Sequence, residues 1–228
     1  MLTFPAATHA SLLNSGFESG DFQNWRLNIP RGTSEFATRS RLAGTAQVVA
    51  TWGQQAGMSQ LRTAIEGSSF TALGSLADGY FTGNRTYNIT LTRSIHLLAG
   101  ETISGSSFFY NGDYEAQDSA WVKILDDGGC AIAQPWLETS GGTCSTTPYR
   151  TASPWTEWSW QAPVECDYAI SLGVTTGGDN VMPSYGFFDD ICVQAATAIT
   201  PVPEPSTLTL LAIGAAGFAA IRRRNKQA

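Results

Sequence analysis

The sequence predicts an all-β protein, an antiparallel β-sandwich of the jelly-roll type, followed by one short hydrophobic helix at the C-terminus. Apolar residues in the body recur with a period of two, which is the period of a half-buried strand. Glycine-containing turn dipeptides separate these runs at 111–112, 127–128 and 177–178. No long helical pattern occurs before residue 206. Many short alternating strands joined by turns are typical of a sandwich.

The strongest strand is predicted over 87–97, where Tyr87, Ile89, Leu91, Ile95 and Leu97 alternate with polar residues. A second strand should place Ala120, Val122 and Ile124 on one face, and a third alternates over 168–174. In the last strand, the same rule places Phe187, Ile191 and Val193 on one face. Asp189 has the same parity, so we expect its side chain on the interior side.

The charge of the body restricts its partners. Residues 1–205 contain 19 acidic and 9 basic residues, a net charge of −10, and Lys123 is their only lysine. Binding to phosphates requires clustered Lys and Arg, so this composition argues against nucleic acid and anionic lipid as partners. About 190 residues remain between the two ends, which is enough for one domain with a substantial core.

The C-terminus has the composition of a membrane-addressing segment. A Pro-rich break is followed by the apolar stretch 206–221 and then by Arg222, Arg223 and Arg224. As a helix, these 16 residues would span roughly 24 Å, less than the roughly 30 Å hydrocarbon core of a bilayer. The three arginines should remain cytoplasmic, which places the body outside. An ordinary permanent single-span anchor is the alternative.

The segment resembles the PEP-CTERM protein-sorting signal through Pro203, Glu204, Pro205, the apolar stretch and the arginine stop, in that order. The resemblance implies that an exosortase in the inner membrane of an exopolysaccharide-producing Gram-negative bacterium recognises and cleaves the chain at Pro-Glu-Pro. The precursor would then be anchored in the inner membrane only transiently. The mature protein would be delivered to the cell envelope or the extracellular space.

Residues 1–10 are too short for a complete signal peptide, but Thr8 and Ala10 fit the small-residue positions at the end of one. The alternatives are a short leader or a disordered terminus. The predicted organisation has five parts: 1–10 as this remnant, 11–196 as the sandwich domain, 197–205 as a Pro-rich linker, 206–221 as the sorting helix and 222–228 as the basic stop.

The four cysteines are consistent with an oxidising compartment. They allow three pairings. We expect Cys130 to pair with Cys144, closing a local Gly-rich loop, and Cys166 to pair with Cys192, joining neighbouring strands. Their spacing is unlike that of a zinc site, which would require CxxC pairs or accompanying histidines.

The body resembles carbohydrate-binding-module-like, galactose-binding-like jelly rolls in several segments. These are Asn14–Gly20 followed by Trp25, then Glu66–Phe70, Leu98–Ile103, Trp155–Trp160 and Tyr185–Ile191. The resemblance implies a structural calcium ion that ties the first strand to the last. Its ligands would be Glu18, Glu66 and Asp189, with backbone carbonyls near Gly16 and Ser69, since calcium prefers six to eight oxygen ligands. Alternatively, the two glutamates cap turns and Asp189 accepts hydrogen bonds from backbone amides.

The sequence favours a protein that is not an enzyme. Its histidines are His9 and His96, and the latter lies on the polar face of its strand, where a solvated side chain is expected. No spacing marks a pair of carboxylates for glycoside hydrolysis. A glycan-active enzyme is thus the least favoured hypothesis.

The favoured function is a structural or polysaccharide-associated protein of the envelope or extracellular matrix. A dedicated carbohydrate-binding protein is the alternative. For that role, Trp121, Trp158 and Trp160 are the candidate stacking platforms, because flat aromatic faces can pack against sugar rings. The same residues could instead belong to the core of the sandwich.

Overall fold

The computed structural model describes residues 15–29, 46–52, 61–75, 88–113, 117–140, 146–177 and 183–196. The chain divides into a unit of residues 1–196 and a second of 197–228, and all the described residues lie in the first. Twelve strands are described: β1 Arg26–Asn28, β2 Ala46–Val49, β3 Thr51–Trp52, β4 Arg62–Thr63, β5 Phe70–Gly74, β6 Asn88–Leu97, β7 Thr102–Tyr110, β8 Ser119–Leu125, β9 Ala131–Thr139, β10 Thr156–Gln161, β11 Cys166–Thr175 and β12 Tyr185–Gln194.

The strands form an antiparallel β-sandwich. The first sheet has the strand order β1-β6-β11-β8-β9 and the second β10-β7-β12-β5-β2, while β3 and β4 form a small separate hairpin. Every described strand pair is antiparallel. The predicted fold of the body is therefore confirmed.

The main core lies between the two sheets and is built by the predicted alternation. From the first sheet it takes Ile89, Leu91, Ile95 and Leu97 of β6, Ala120, Val122 and Ile124 of β8, and Tyr168, Ile170, Leu172 and Val174 of β11. Trp25 also belongs to it. The period-two rule thus identified the inward face of all three strands.

A second apolar cluster covers the outer face of the second sheet. Ile103 and Phe109 of β7 point into the main core, so Phe108 and Tyr110 point away from it. Phe108 stacks on Phe187 with ring centroids 4.1 Å apart and an interplanar angle of 9°. We call this set the outer aromatic cluster; its buried members are Trp52, Phe70, Ala72, Phe108, Tyr110, Tyr185 and Phe187.

In β12, the predicted facing of the side chains is wrong. Phe187 belongs to the outer aromatic cluster, whereas Ile191 and Val193 belong to the main core. The cause is a β-bulge between Asp189 and Cys192, where Asp190 adopts a φ of 52°. A bulge inserts one unpaired residue and so reverses the facing of everything after it. Asp189 consequently points to the outer side with Phe187, where it is fully buried.

No helix among the described residues is long and apolar enough to cross a membrane. The predicted sorting helix at 206–221, the predicted linker and the basic stop all lie outside the described residues, as do residues 1–14.

Candidate functional site

Two of the tryptophans predicted to stack on sugars face the interior. Trp158 is 5% exposed and belongs to the main core. It lies across Gly105, where an added Cβ would stand 2.5 Å from its Cζ2, and its Nε1 donates to Ser107 Oγ at 2.9 Å. Trp160 is half-buried and packs edge-on against Tyr168, with ring centroids 5.0 Å apart. These rings stabilise the sandwich, so the prediction of open platforms is wrong for both.

Trp121 occupies the outer face of the first sheet, opposite to Val122 as the alternation requires, but it is only 7% exposed. The ring lies flat over Gly173, where an added Cβ would stand 2.2 Å from its Cζ2. The Nζ of Lys123 also lies over this ring, 4.2 Å from its centroid. Because Trp121 is almost fully buried, it is not an open stacking platform either.

A polar cleft of about 560 Å³ lies on the outer face of the second sheet. It is formed where β10, β7 and β12 lie side by side, with β7 in the middle. Its lining residues are Thr102, Ser104, Gly105, Ser106, Glu157, Trp158, Ser159, Asp190 and Gln194. We refer to it as the polar cleft.

The strand register organises the polar cleft into three rows of side chains. Ser106 of β7 lies between Glu157 and Asp189. Ser104 lies between Ser159 and Cys192, and Thr102 between Gln161 and Gln194. Since β7 alternates between the two faces, these positions all project outward, next to the outer aromatic cluster. Sequence reasoning missed this surface, because the pairing of three strands that are distant in sequence creates it.

An acidic cluster adjoins one wall of the polar cleft; it consists of Glu18, Glu66, Asp189 and Asp190. Asp189 is fully buried and accepts hydrogen bonds at Oδ2 from the amides of Ile65 (2.7 Å) and Glu66 (3.2 Å). Burial raises the pKa of Asp189 to about 6, although these hydrogen bonds oppose the rise.

Glu18 reaches the same cluster from the first motif of the chain. Its carboxylate accepts hydrogen bonds from the amides of Ser68 and Ser69 at 2.9–3.0 Å, and these lower its pKa. An added Cβ on Gly16 would stand 3.6 Å from Asp189 Oδ1 and 3.9 Å from Glu18 Oε1. Both carboxylates therefore approach the same side of Gly16.

Glu66 and Asp190 complete the cluster. A hydrogen bond to the Asp190 carboxylate is the main cause that raises the pKa of Glu66, and the charges of Asp190 and Glu18 raise it further. The structure thus brings together all five residues predicted around the calcium ion: Gly16, Glu18, Glu66, Ser69 and Asp189. Among the described residues, however, no three His, Cys, Asp or Glu side chains form a ready-made metal site. The calcium ion stays a prediction.

Sequence reasoning also missed a buried carboxylate beyond the other end of β7. Asp118 is 2% exposed. Its Oδ1 accepts a hydrogen bond from the Gly177 amide (2.8 Å), and its Oδ2 accepts from Ser75 Oγ (2.7 Å) and the Ser184 amide (3.2 Å). Burial is the main cause that raises its pKa to about 6. Asp118 thus ties together the ends of β5, β8, β11 and β12.

His96 is an exposed surface residue, as predicted. Its Nδ1 lies 2.8 Å from Asp167 Oδ1, and its Nε2 lies 3.6 Å from Glu165 Oε1. The hydrogen bond to Asp167 raises the pKa of His96. Both carboxylates are themselves exposed, which is typical of a surface ion pair with little effect on stability.

The structure corrects both predicted disulfides. Cys130, Cys166 and Cys192 are free thiols, and Cys144 lies outside the described residues. Cys166 faces Leu97 within the first sheet, whereas Cys192 faces Ser104 within the second, where its Sγ lies 3.3 Å from Ser104 Oγ.

Residues 201–224 match the family described as the PEP-CTERM protein-sorting motif. The chain carries a PEP-CTERM sorting motif. This confirms the resemblance through Pro203, Glu204, Pro205 and the arginines, and it indicates an exported precursor that is sorted by an exosortase. The match covers only the tail and says nothing of what the sandwich does.

No curated protein matches the chain. Solved structures of similar fold include TmCBM61 in complex with β-1,4-galactotriose, at 18% identity and a TM-score of 0.42, covering 80% of this chain and 95% of that one. The CBM22-1 xylan-binding domain of Paenibacillus barcinonensis Xyn10C has 14% identity and a TM-score of 0.39, covering 81% and 93%. The K3 cleaved adhesin domain of Lys-gingipain from Porphyromonas gingivalis W83 has 13% identity and a TM-score of 0.44, covering 82% and 100%. Values this low do not extend the ligands of those proteins to this chain.

Proposed function

We propose that this protein is an exported, non-enzymatic component of the cell envelope or extracellular matrix that associates with polysaccharide. The observation that carries the proposal is the sorting motif at 201–224, which follows a β-sandwich whose last described residue is Ala196. Exosortase cleavage at Pro203-Glu204-Pro205 releases the sandwich from a transient inner-membrane anchor. The polar cleft is its contact surface for polysaccharide, since clustered hydroxyl, amide and carboxylate groups suit a ligand that is rich in hydroxyl groups.

Cleavage is tested by following the chain in its native host. Replacing Glu204 with alanine, or all three arginines with alanine, is expected to leave most of the chain uncleaved in the inner-membrane fraction. Gln227→Ala lies outside the matched residues and serves as the control, with normal release expected. Mass spectrometry of the released wild-type protein should find a C-terminus near Pro205. Mature wild-type protein that keeps residues 208–228 in full and stays in the inner-membrane fraction would show that the segment is a permanent anchor.

A dedicated carbohydrate-binding protein is the second candidate function. The polar cleft favours it, but none of the three predicted tryptophan platforms is open. Affinity would therefore depend on hydrogen bonds and charge, with little contribution from ring stacking. Such binding is weak for each unit, and it suits a matrix protein that meets many repeats of one polymer.

We further propose that the acidic cluster holds a structural calcium ion. The chemistry of the donor set supports this, since Glu66 faces Asp190 and also lies near the charge of Glu18. A divalent cation would relieve this repulsion, with Glu18, Glu66 and Asp189 as side-chain ligands and carbonyls near Gly16 and Ser69 as the others. The present contacts of Glu18 with Ser68 and Ser69 would have to be shared with the ion.

Calcium removal should lower the melting temperature of the full-length chain, purified in mild detergent, by about 5 °C or more, because an ion that binds only the folded state stabilises it by mass action. The comparison is between excess calcium and excess EDTA. In Glu18→Ala this difference should largely disappear, whereas in Glu165→Ala, an exposed acid elsewhere, it should persist. Equal melting temperatures with calcium and with EDTA would show that the cluster holds no ion.

A further inference from the structure

The polar cleft carries negative charge on both of its walls. Glu157 of β10 is exposed on one wall, and Asp190 of β12 is half-buried on the other. Both carboxylates border the row that contains Ser106. Glu157 pairs with Ser106 on one side, and Asp190 directly follows Asp189, which pairs with Ser106 on the other side. Adjacent strands are about 4.8 Å apart, so the two walls are separated by roughly 10 Å.

The position of Asp190 is fixed by the fold. The bulge gives it a φ of 52°, and its amide donates to Asp189 Oδ1 at 2.8 Å. Its carboxylate is hydrogen-bonded to Glu66 in the acidic cluster. The wall formed by β12 therefore presents the carboxylate of Asp190 in a fixed position, with the carboxylate of Glu66 hydrogen-bonded to it.

The floor between the walls is made of small polar groups. Thr102, Ser104 and Ser106 lie along β7, and Ser159 and Gln194 flank them. These hydroxyl and amide groups both donate and accept hydrogen bonds, which suits the hydroxyl groups of a sugar chain. Of the described residues that line the polar cleft, none is basic. The lining therefore offers no described partner for the carboxylate of a uronic acid or for a sulfate ester.

We propose that the polar cleft selects an amino-sugar polysaccharide, with protonated amines facing Glu157 and Asp190 while the ring hydroxyls contact the serine and threonine floor. The selection rests on the proposed association with polysaccharide and adds the class of polymer. The negative charge of residues 1–205 acts in the same direction, since it attracts a cationic polymer and repels an acidic one.

A matched pair of oligosaccharides tests the selection. Chitosan hexamer and cellohexaose share a β-1,4-linked backbone and differ in carrying an amine or a hydroxyl at carbon 2. We would measure the binding of both, and of an oligogalacturonate, to the full-length chain in detergent by calorimetry, at mildly acidic pH and low salt. Chitosan hexamer is expected to bind about threefold to tenfold more tightly than cellohexaose, which is the effect that two solvent-accessible charge pairs allow. The oligogalacturonate should bind more weakly than either.

Two variants locate the effect. Glu157→Gln keeps the size of the side chain and removes its charge, so the preference for the amine should fall toward one. Glu165→Gln removes an exposed charge from the connection before β11 and should leave the preference unchanged. Raising the salt concentration should reduce the preference in the wild-type chain, because salt screens exposed charges.

The possible negative results separate the amino-sugar selection from the proposed binding of polysaccharide. Equal binding of chitosan hexamer and cellohexaose would overturn the amino-sugar selection and leave polysaccharide binding intact. A preference that Glu157→Gln leaves unchanged would show that the amine binds elsewhere and would overturn the assignment to the polar cleft. Absence of binding by all three oligosaccharides would overturn both the selection and the proposed role of the polar cleft.

Discussion

Replacing Asp118 with alanine is expected to lower the free energy of unfolding by about 2–4 kcal/mol at pH 7. The substitution removes the acceptor for the buried Ser75 hydroxyl and for the Gly177 amide, whose hydrogen bond is part-buried. A buried polar group left without a partner costs about 1–3 kcal/mol, and a part-buried one costs less. The loss is partly offset because a buried charge disappears with it. Denaturant titration of the full-length chain in detergent gives the measurement, with an unchanged slope as evidence that the folded state is retained.

Asparagine at the same position makes the test more specific. It preserves volume, but its NH₂ group must face either the Gly177 amide or the Ser184 amide, both of which are donors. Asp118→Asn is therefore also expected to destabilise, by about 1–3 kcal/mol. Asp127→Asn replaces an exposed acid in the turn after β8 and should change stability by less than about 0.5 kcal/mol. If Asp118→Asn were as neutral as Asp127→Asn, the carboxylate would not tie the strand ends together.

The alternation of apolar residues was sufficient to predict three strands of the first sheet. In β6, β8 and β11, one face packs against the main core, and the inward residues of that face were identified correctly. The same rule failed in β12, because it assumes that every residue is paired. The bulge at Asp190 breaks that assumption. Nothing in Asp189-Asp190 distinguishes a bulge from a regular strand in the sequence alone.

The tryptophans show a second limit. Period two correctly placed Trp158 and Trp160 on one face and Trp121 opposite Val122, but it could not tell which faces are open. Gly105 and Gly173 are what allow Trp158 and Trp121 to lie flat against the neighbouring strand. These glycines come from other strands, so the relation depends on the pairing of β7 with β10 and of β8 with β11. The polar cleft was missed for the same reason.

The acidic cluster could be anticipated only by resemblance to a family. Glu18, Glu66 and Asp189 come from three distant segments, and no spacing rule relates them. The structure brings them together at the bulge of β12. The disulfide pairs, in contrast, were predicted without a family resemblance. The pairing of Cys166 with Cys192 failed because β11 and β12 belong to different sheets.

The stability of the protein is expected to rise as the pH falls from 7.5 to about 5, the reverse of ordinary acid denaturation. Burial raises the pKa of Asp118 and of Asp189 from 3.8 to about 6. Below pH 6 the folded state therefore binds protons that the unfolded state, with its lower pKa, does not bind until about pH 4. Stability falls with rising pH wherever the folded state holds more protons. The contribution of each group is complete below its unfolded pKa and is lost as the pH rises through 6.

Each shift of about two pKa units corresponds to at most about 3 kcal/mol, so a total gain of about 2–4 kcal/mol between pH 7.5 and 5 is expected. Glu18 and Asp21 have lowered pKa values and act in the opposite direction, but only as the pH falls through their own lower range. Denaturant titrations in EDTA at three pH values give the measurement. In Asp118→Asn about half of the gain should remain, since Asp189 still titrates. With excess calcium the share of Asp189 should shrink, because a bound cation keeps that carboxylate ionised. A wild-type stability that is flat or falls toward pH 5 would mean that neither carboxylate is held protonated by burial.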